Sequence, residues 1–113
     1  MSPRAWRERV EDILACIHNI QTFVGDMSAE EFANDLKTIR AVAFEFSIMG
    51  EAARAIPASA RQQYPQVPWE QMQAMRNVIV HEYFRIDEEV LWQTTQADLP
   101  PLIPLLEDVL QKS

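Results

Sequence analysis

From Trp6 to Val24 the apolar residues fall at Trp6, Val10, Ile13, Leu14, Ile17, Ile20 and Val24. Steps of three and four bring side chains onto one face only in an α-helix. The same step recurs along most of the chain, and no stretch alternates with the period of two that a half-buried strand needs. Only two glycines are present, too few for a turn-rich β-fold. The pattern predicts an all-α protein, an up-and-down bundle of roughly four or five helices. Its 113 residues suffice for one core. No repeat or linker divides them, so a single domain over 1–113 is expected.

Local signals place the helix ends. Pro3 suits a first helical turn and Gly25 a C-terminus, giving a first helix of about Pro3 to Val24. Ser28 and Glu31 form a capping box for a second helix, expected to run to about Ala55. Phe32, Leu36, Ile39, Val42, Ala43, Phe46 and Met49 would face the core, with Pro57 as the stop. A short turn from Ser59 to Tyr64 follows. A third main helix is expected from about Pro68 to Tyr83. Asp87 caps a fourth, with Glu88 and Glu89 in its first turn. Pro100 and Pro101 should interrupt it, with Asp98 as a new cap and an amphipathic stretch over Leu102 to Gln111.

Several function classes are disfavoured. The 17 acidic residues against 10 basic ones leave a net charge of −7, whereas general nucleic-acid binders are basic. Any contact with RNA must therefore be local or assisted. No run approaches the roughly 18 apolar residues of a membrane span. Pro3 to Glu11 is charged, with no leader-like apolar run behind it, so no membrane association and a cytoplasmic location are expected. A single cysteine, Cys16, leaves no disulfide or cysteine zinc site, and its apolar helical neighbours suggest a buried thiol. His18 and His81 lie far apart and make no metal site. No cofactor is expected.

The stretch "MRNVIVHEYF", residues 75–84, does not fit a plain bundle. On a helix from Pro68 to Tyr83, Met72, Met75 and Ile79 make one apolar face, while Trp69, Val80 and Tyr83 fall on the opposite side. Such a helix is buried all round or packs against a second molecule. Arg76 and His81 would then need partners. Arg76 could pair with Glu45, Glu51 or Glu82, and His81 could bond Asn77 or a backbone carbonyl. Alternatively the two form a site: histidine moves protons near neutral pH, and arginine grips phosphate with paired hydrogen bonds. Five residues apart, they lie about 140° apart around an ideal helix. A two-fold dimer would gather both kinds of side chain into one cleft.

Arg76, Asn77, His81, Glu82 and Tyr83 resemble the arginine–x4–histidine–x–tyrosine motif of the HEPN superfamily (higher eukaryotes and prokaryotes nucleotide-binding domain). The whole chain is similar to its HepT-like toxins. "RVEDILACIHNIQTFV" resembles their first helix and "EEFANDLKTIRAV" the opening of their second. "IMGEAARAIP" resembles their Gly-Glu-Ala segment, and "VPWEQMQAMRNVIVHEYFRID" matches most closely. The resemblance implies a homodimer with the motif in its interface cleft, acting as a metal-independent RNA endonuclease toxin of a type VII-like toxin–antitoxin system. His81 would serve as general base or acid and Arg76 would hold the scissile phosphate, with Asn77 and Glu51 in support. The implied partner is a minimal nucleotidyltransferase antitoxin of the MntA type, which would silence the toxin by transferring AMP to Tyr83. The substrate would be tRNA or mRNA. The alternative is a non-catalytic HEPN-like dimer serving as adaptor or binding partner of a nucleotidyltransferase. Trp69, Trp92 and the methionines are expected to pack, and His18 to be exposed.

Overall fold

Helix α1 (Pro3–Val24) forms over the predicted stripe and buries it, with Val10, Ile13, Ile17 and Ile20 fully inaccessible. Gly25 ends it at φ +53, a left-handed conformation that glycine adopts without penalty. The structure, a computed structural model, describes the backbone of residues 3–81 and 85–113 and the side chains of 5–77 and 85–113.

The second predicted helix is two. The capping box is present: the Glu31 amide donates to Ser28 Oγ at 3.1 Å, and the Ser28 amide donates to Glu31 Oε1 at 3.0 Å. Helix α2 (Ala29–Ala33) nevertheless stops at Asn34, and α3 (Leu36–Arg54) starts afresh. Asp35 is the cause, because its carboxylate accepts the Thr38 amide at 3.0 Å and so caps a new helix. The restart turns Leu36 outward, 59% exposed rather than in the core.

Helix α4 (Ala58–Gln63) and α5 (Trp69–Ile79) follow. Helix α5 ends four residues earlier than the sequence pattern suggests. Val80–His81 (β1) pairs antiparallel with Arg85–Ile86 (β2), His81 opposite Arg85. The change falls at the end of a run of three β-branched residues, Val78, Ile79 and Val80, which weakens the last turn of the helix, and Val80 is the first to leave it. The expected absence of strands is corrected by this short pair. The predicted angle of about 140° between Arg76 and His81 also lapses, because His81 is not on the helix.

Asp87 caps α6 (Glu88–Gln93) as expected, accepting the Val90 amide at 3.1 Å. The prolines do not break the chain that follows. A π-helical turn, Thr94–Asp98, leads directly into α7 (Leu99–Lys112), and the Leu99 amide bonds back to the Thr94 carbonyl. Pro100 and Pro101 offer no N–H to the carbonyls ahead of them, so the wider turn absorbs the mismatch. Asp98 makes no capping bond with its side chain.

Helix α3 is central, packed against α1 on one side and α5 on the other, with α7 closing on α1. Phe32, Phe46, Met49, Met72, Leu91, Leu99 and Leu106 lie at the core's centre. Trp92 packs on Phe32 with ring centroids 5.3 Å apart. Trp69 is buried at the start of α5, where its indole N–H donates to the Tyr64 carbonyl at 3.0 Å. Among the described residues no helix is long and apolar enough to cross a membrane.

Between α1 and α3 lies a small polar inclusion. Asn19 donates to Glu45 Oε1 at 3.2 Å, and Glu45 and Cys16 are both buried. Burial, then a hydrogen bond to Glu45, then the charges of Glu45 and Asp12, push the Cys16 thiol up from 9.0 to about 12. The unfolded thiol ionises near its ordinary value while the folded one stays protonated. The resulting stabilisation is complete below about pH 9 and is lost as the pH rises to about 12. We expect the Tm of the wild type to fall more steeply than that of Cys16→Ala across that window. Thermal melts of both proteins at stepped pH check this, and parallel curves would contradict it.

Candidate functional site

Glycine 50 sets the site's geometry. A Cβ there would meet the Arg76 Cβ at 3.3 Å and the Gln73 carbonyl at 3.4 Å, so its absence lets α5 approach α3 closely. Glu51, the next residue, meets Arg76 across this crossing, with Nη1 donating to Oε1 at 2.5 Å. Glu51 also attracts Arg54, whose Nε lies 3.8 Å from Oε2. Of the two described carboxylates that the sequence offered to Arg76, Glu51 is the one that meets it. Glu45 is committed to the buried inclusion, and Glu82 lies outside the described residues.

Arg76 is not buried. Its side chain is 54% exposed and that of Glu51 is 51% exposed. Helix α5 is not apolar all round either: Glu70, Gln71, Ala74, Arg76 and Asn77 form its solvent side. The arginine therefore does not stand among apolar neighbours, as its sequence context suggested. An exposed pair of this kind contributes about 0–1 kcal/mol, so the fold gains little from it.

The pair opens onto a groove of about 490 Å³ between α1, α3 and α5. Arg76 and Glu51 form one wall, Arg9 and Asp12 of α1 the other, and Ser47, Ile48, Ala52 and Ala55 the floor. Arg9 Nη1 lies 2.6 Å from Asp12 Oδ2. Asn77 is exposed beside Arg76 without lining the groove. His81 follows in β1, and only its backbone is described; Tyr83 lies outside the described residues. Sequence reasoning missed Arg9 and Asp12, although their i, i+3 spacing of opposite charges was there to find. It also missed Arg85, exposed and directly across the strand pair from His81.

A larger cavity, about 600 Å³, lies on another side of α5 between Gln71, Met75, Thr94, Asp98, Leu102 and Leu105. Among the described residues, none of the predicted site residues and no basic group lines it. The Arg76 groove is the better candidate for an anionic substrate, because it holds two guanidinium groups within reach of solvent. Among the described residues no cluster of His, Cys, Asp and Glu could hold a metal ion.

The all-α bundle is that of a HEPN-type protein. The family model described as "Ribonuclease HepT-like" matches residues 13–109, and the chain belongs to that family. It is 37% identical over 99 residues to "Probable ribonuclease HepT" of Thermococcus cleftensis, covering 88% of this chain and 90% of that one. It is 35% identical over 100 residues to a protein of Methanocaldococcus jannaschii provisionally named RNase MJ0127, covering 88% and 83%. A third relative, from Caldanaerobacter subterraneus and provisionally named RNase TTE0752, is 31% identical over 111 residues, covering 98% and 96%. No solved structure shows a significant match.

Proposed function

We propose that the chain is a metal-independent endoribonuclease, the toxin of a toxin–antitoxin pair, working as a homodimer. The observation that carries this reading is Arg76 itself: a half-exposed guanidinium held by Glu51 at the edge of an open groove. Arg76 takes the scissile phosphate and offsets the charge that develops on its oxygens. His81 removes the proton of the RNA 2′-hydroxyl, whose oxygen attacks the phosphorus. The bond to the 5′-oxygen breaks, that oxygen receives a proton, and the product carries a cyclic phosphate end. Asn77 orients His81 or the substrate. Glu51 is a positioning residue for Arg76.

Exposed apolar side chains support the homodimer. Leu36, Phe44 and Ile48 lie on α3 at multiples of four, exposed by 59%, 65% and 37%, and Ile48 also lines the groove. A second copy on this stripe would cover apolar surface and bring two grooves together. A minimal nucleotidyltransferase of the MntA type would silence the toxin by transferring AMP to Tyr83. The added phosphate is an anion that competes with RNA for the arginines.

The deciding experiment is RNA cleavage by the purified chain, shown by intact mass to be unmodified, with a chelator present. Cleavage that leaves cyclic phosphate ends, and that is absent from folded His81→Ala and Arg76→Ala, is the expected result. Unmodified, dimeric wild type that cuts neither tRNA nor total RNA would overturn the reading in favour of an adaptor for the nucleotidyltransferase.

A further inference from the structure

The groove has two walls, and the proposed chemistry uses only one. The other is Arg9 and Asp12, on the second and third turns of α1. Their side chains are 43% and 46% exposed, so neither is locked into the core. The pair is weak for two reasons. Ion pairs in this much water contribute about 0–1 kcal/mol. The cation also precedes the anion along the helix, the less favourable order. A phosphate that accepts two hydrogen bonds from one guanidinium can therefore displace Asp12 at little cost. The arrangement repeats that of Arg76 with Glu51 across the same floor, an arginine held ready by a carboxylate. The groove's charged lining is two arginines and two carboxylates, so a phosphate gains a free guanidinium there only by displacing a carboxylate.

We infer that Arg9 leaves Asp12 to hold a second phosphate of the RNA strand, adjacent to the one held by Arg76, so that the groove grips two phosphates of a single strand. This rests on the ribonuclease reading above. Asp12 serves as a placeholder. It keeps the guanidinium in position when the groove is empty and weakens adventitious binding of other polyanions.

The test uses a fluorescent single-stranded RNA and protein carrying His81→Ala, so that nothing is cut during the titration. The slope of log affinity against log salt should fall in magnitude by about 0.7 when Arg9→Gln is added, the loss of one phosphate contact to a single strand. Arg9→Lys should keep the slope. At fixed salt Arg9→Gln should weaken binding about tenfold, the order of one charge-assisted hydrogen bond. Asp12→Asn should tighten binding, because the cation stays and its competitor goes. In the otherwise wild-type enzyme, Arg9→Gln should raise KM with kcat nearly unchanged. A purely structural ion pair predicts the reverse pattern, with both substitutions shifting Tm alike and neither moving the salt slope. Unchanged slope and affinity in Arg9→Gln, while the parent binds and the wild type cuts, would overturn this inference alone. A wild type that neither binds nor cuts RNA would overturn the ribonuclease reading and this inference with it.

Discussion

Arg76→Ala should lower kcat by about 10²–10³, the loss typical of removing one donor that stabilises transition-state charge, while leaving Tm nearly unchanged. The two halves of this result have separate physical causes. For the fold, Arg76 is a half-exposed partner in a surface ion pair, so its removal costs about 0–1 kcal/mol. Its Cβ remains in the alanine, and so does the contact with Gly50 that sets the helix crossing. For the chemistry, Arg76 is the guanidinium that lines the groove on that wall among the described residues, a planar donor of two hydrogen bonds. Arg76→Lys should therefore restore the charge without restoring the rate. Glu51→Gln should have a smaller effect, raising KM and slowing kcat a few-fold, because it loosens the guanidinium without removing it. Single-turnover rates and thermal melts of the same preparations decide the matter. An Arg76→Ala protein that keeps more than a tenth of wild-type kcat would remove Arg76 from the catalytic machinery.

This separation explains which features were legible in the sequence. Helix ends set by local chemistry could be read directly: Gly25, the Ser28–Glu31 box and the Asp87 cap are all in place. The core stripe of α1 was equally plain, because burial enforces its period. The failures share a cause. Asp35 capping Thr38 competes with a helical period that continues through Phe32 and Ile39, and the period hid it. Val80 and His81 were read as helix because apolar residues suit either a helix or a buried strand. The site was half legible. The motif picked out Arg76 and offered Glu51 as a partner, since both lie close to recognisable signatures. It could not show that Gly50 is what brings them together. Nor could it show that α1 supplies the opposite wall, because Arg9 and Arg76 are neighbours of the same groove only after α1 and α5 pack on either side of α3.

Phe44→Glu should abolish both dimerisation and RNA cleavage while the monomer stays folded. Phe44 and Phe46 are two residues apart on α3 and show what burial decides. Phe46 is fully inaccessible, and truncation to alanine there should cost about 3–5 kcal/mol. Phe44 is 65% exposed and contributes little to the isolated chain. A ring left in water has a use only if something covers it. Phe44 lies in line with Leu36 and with Ile48, which lines the groove, so a copy docked here would sit directly beside the arginines. A glutamate at position 44 would have to give up its water where the wild-type ring buries apolar surface, a cost borne once per copy. The same glutamate of the second copy would also stand nearby across a two-fold axis. Light scattering should therefore report a dimer for the wild type and a monomer for Phe44→Glu, with matching circular dichroism. Cleavage should disappear with the dimer, although Arg76 and His81 are untouched. If Phe44→Glu remains a dimer and cuts RNA at the wild-type rate, the α3 stripe is not the interface.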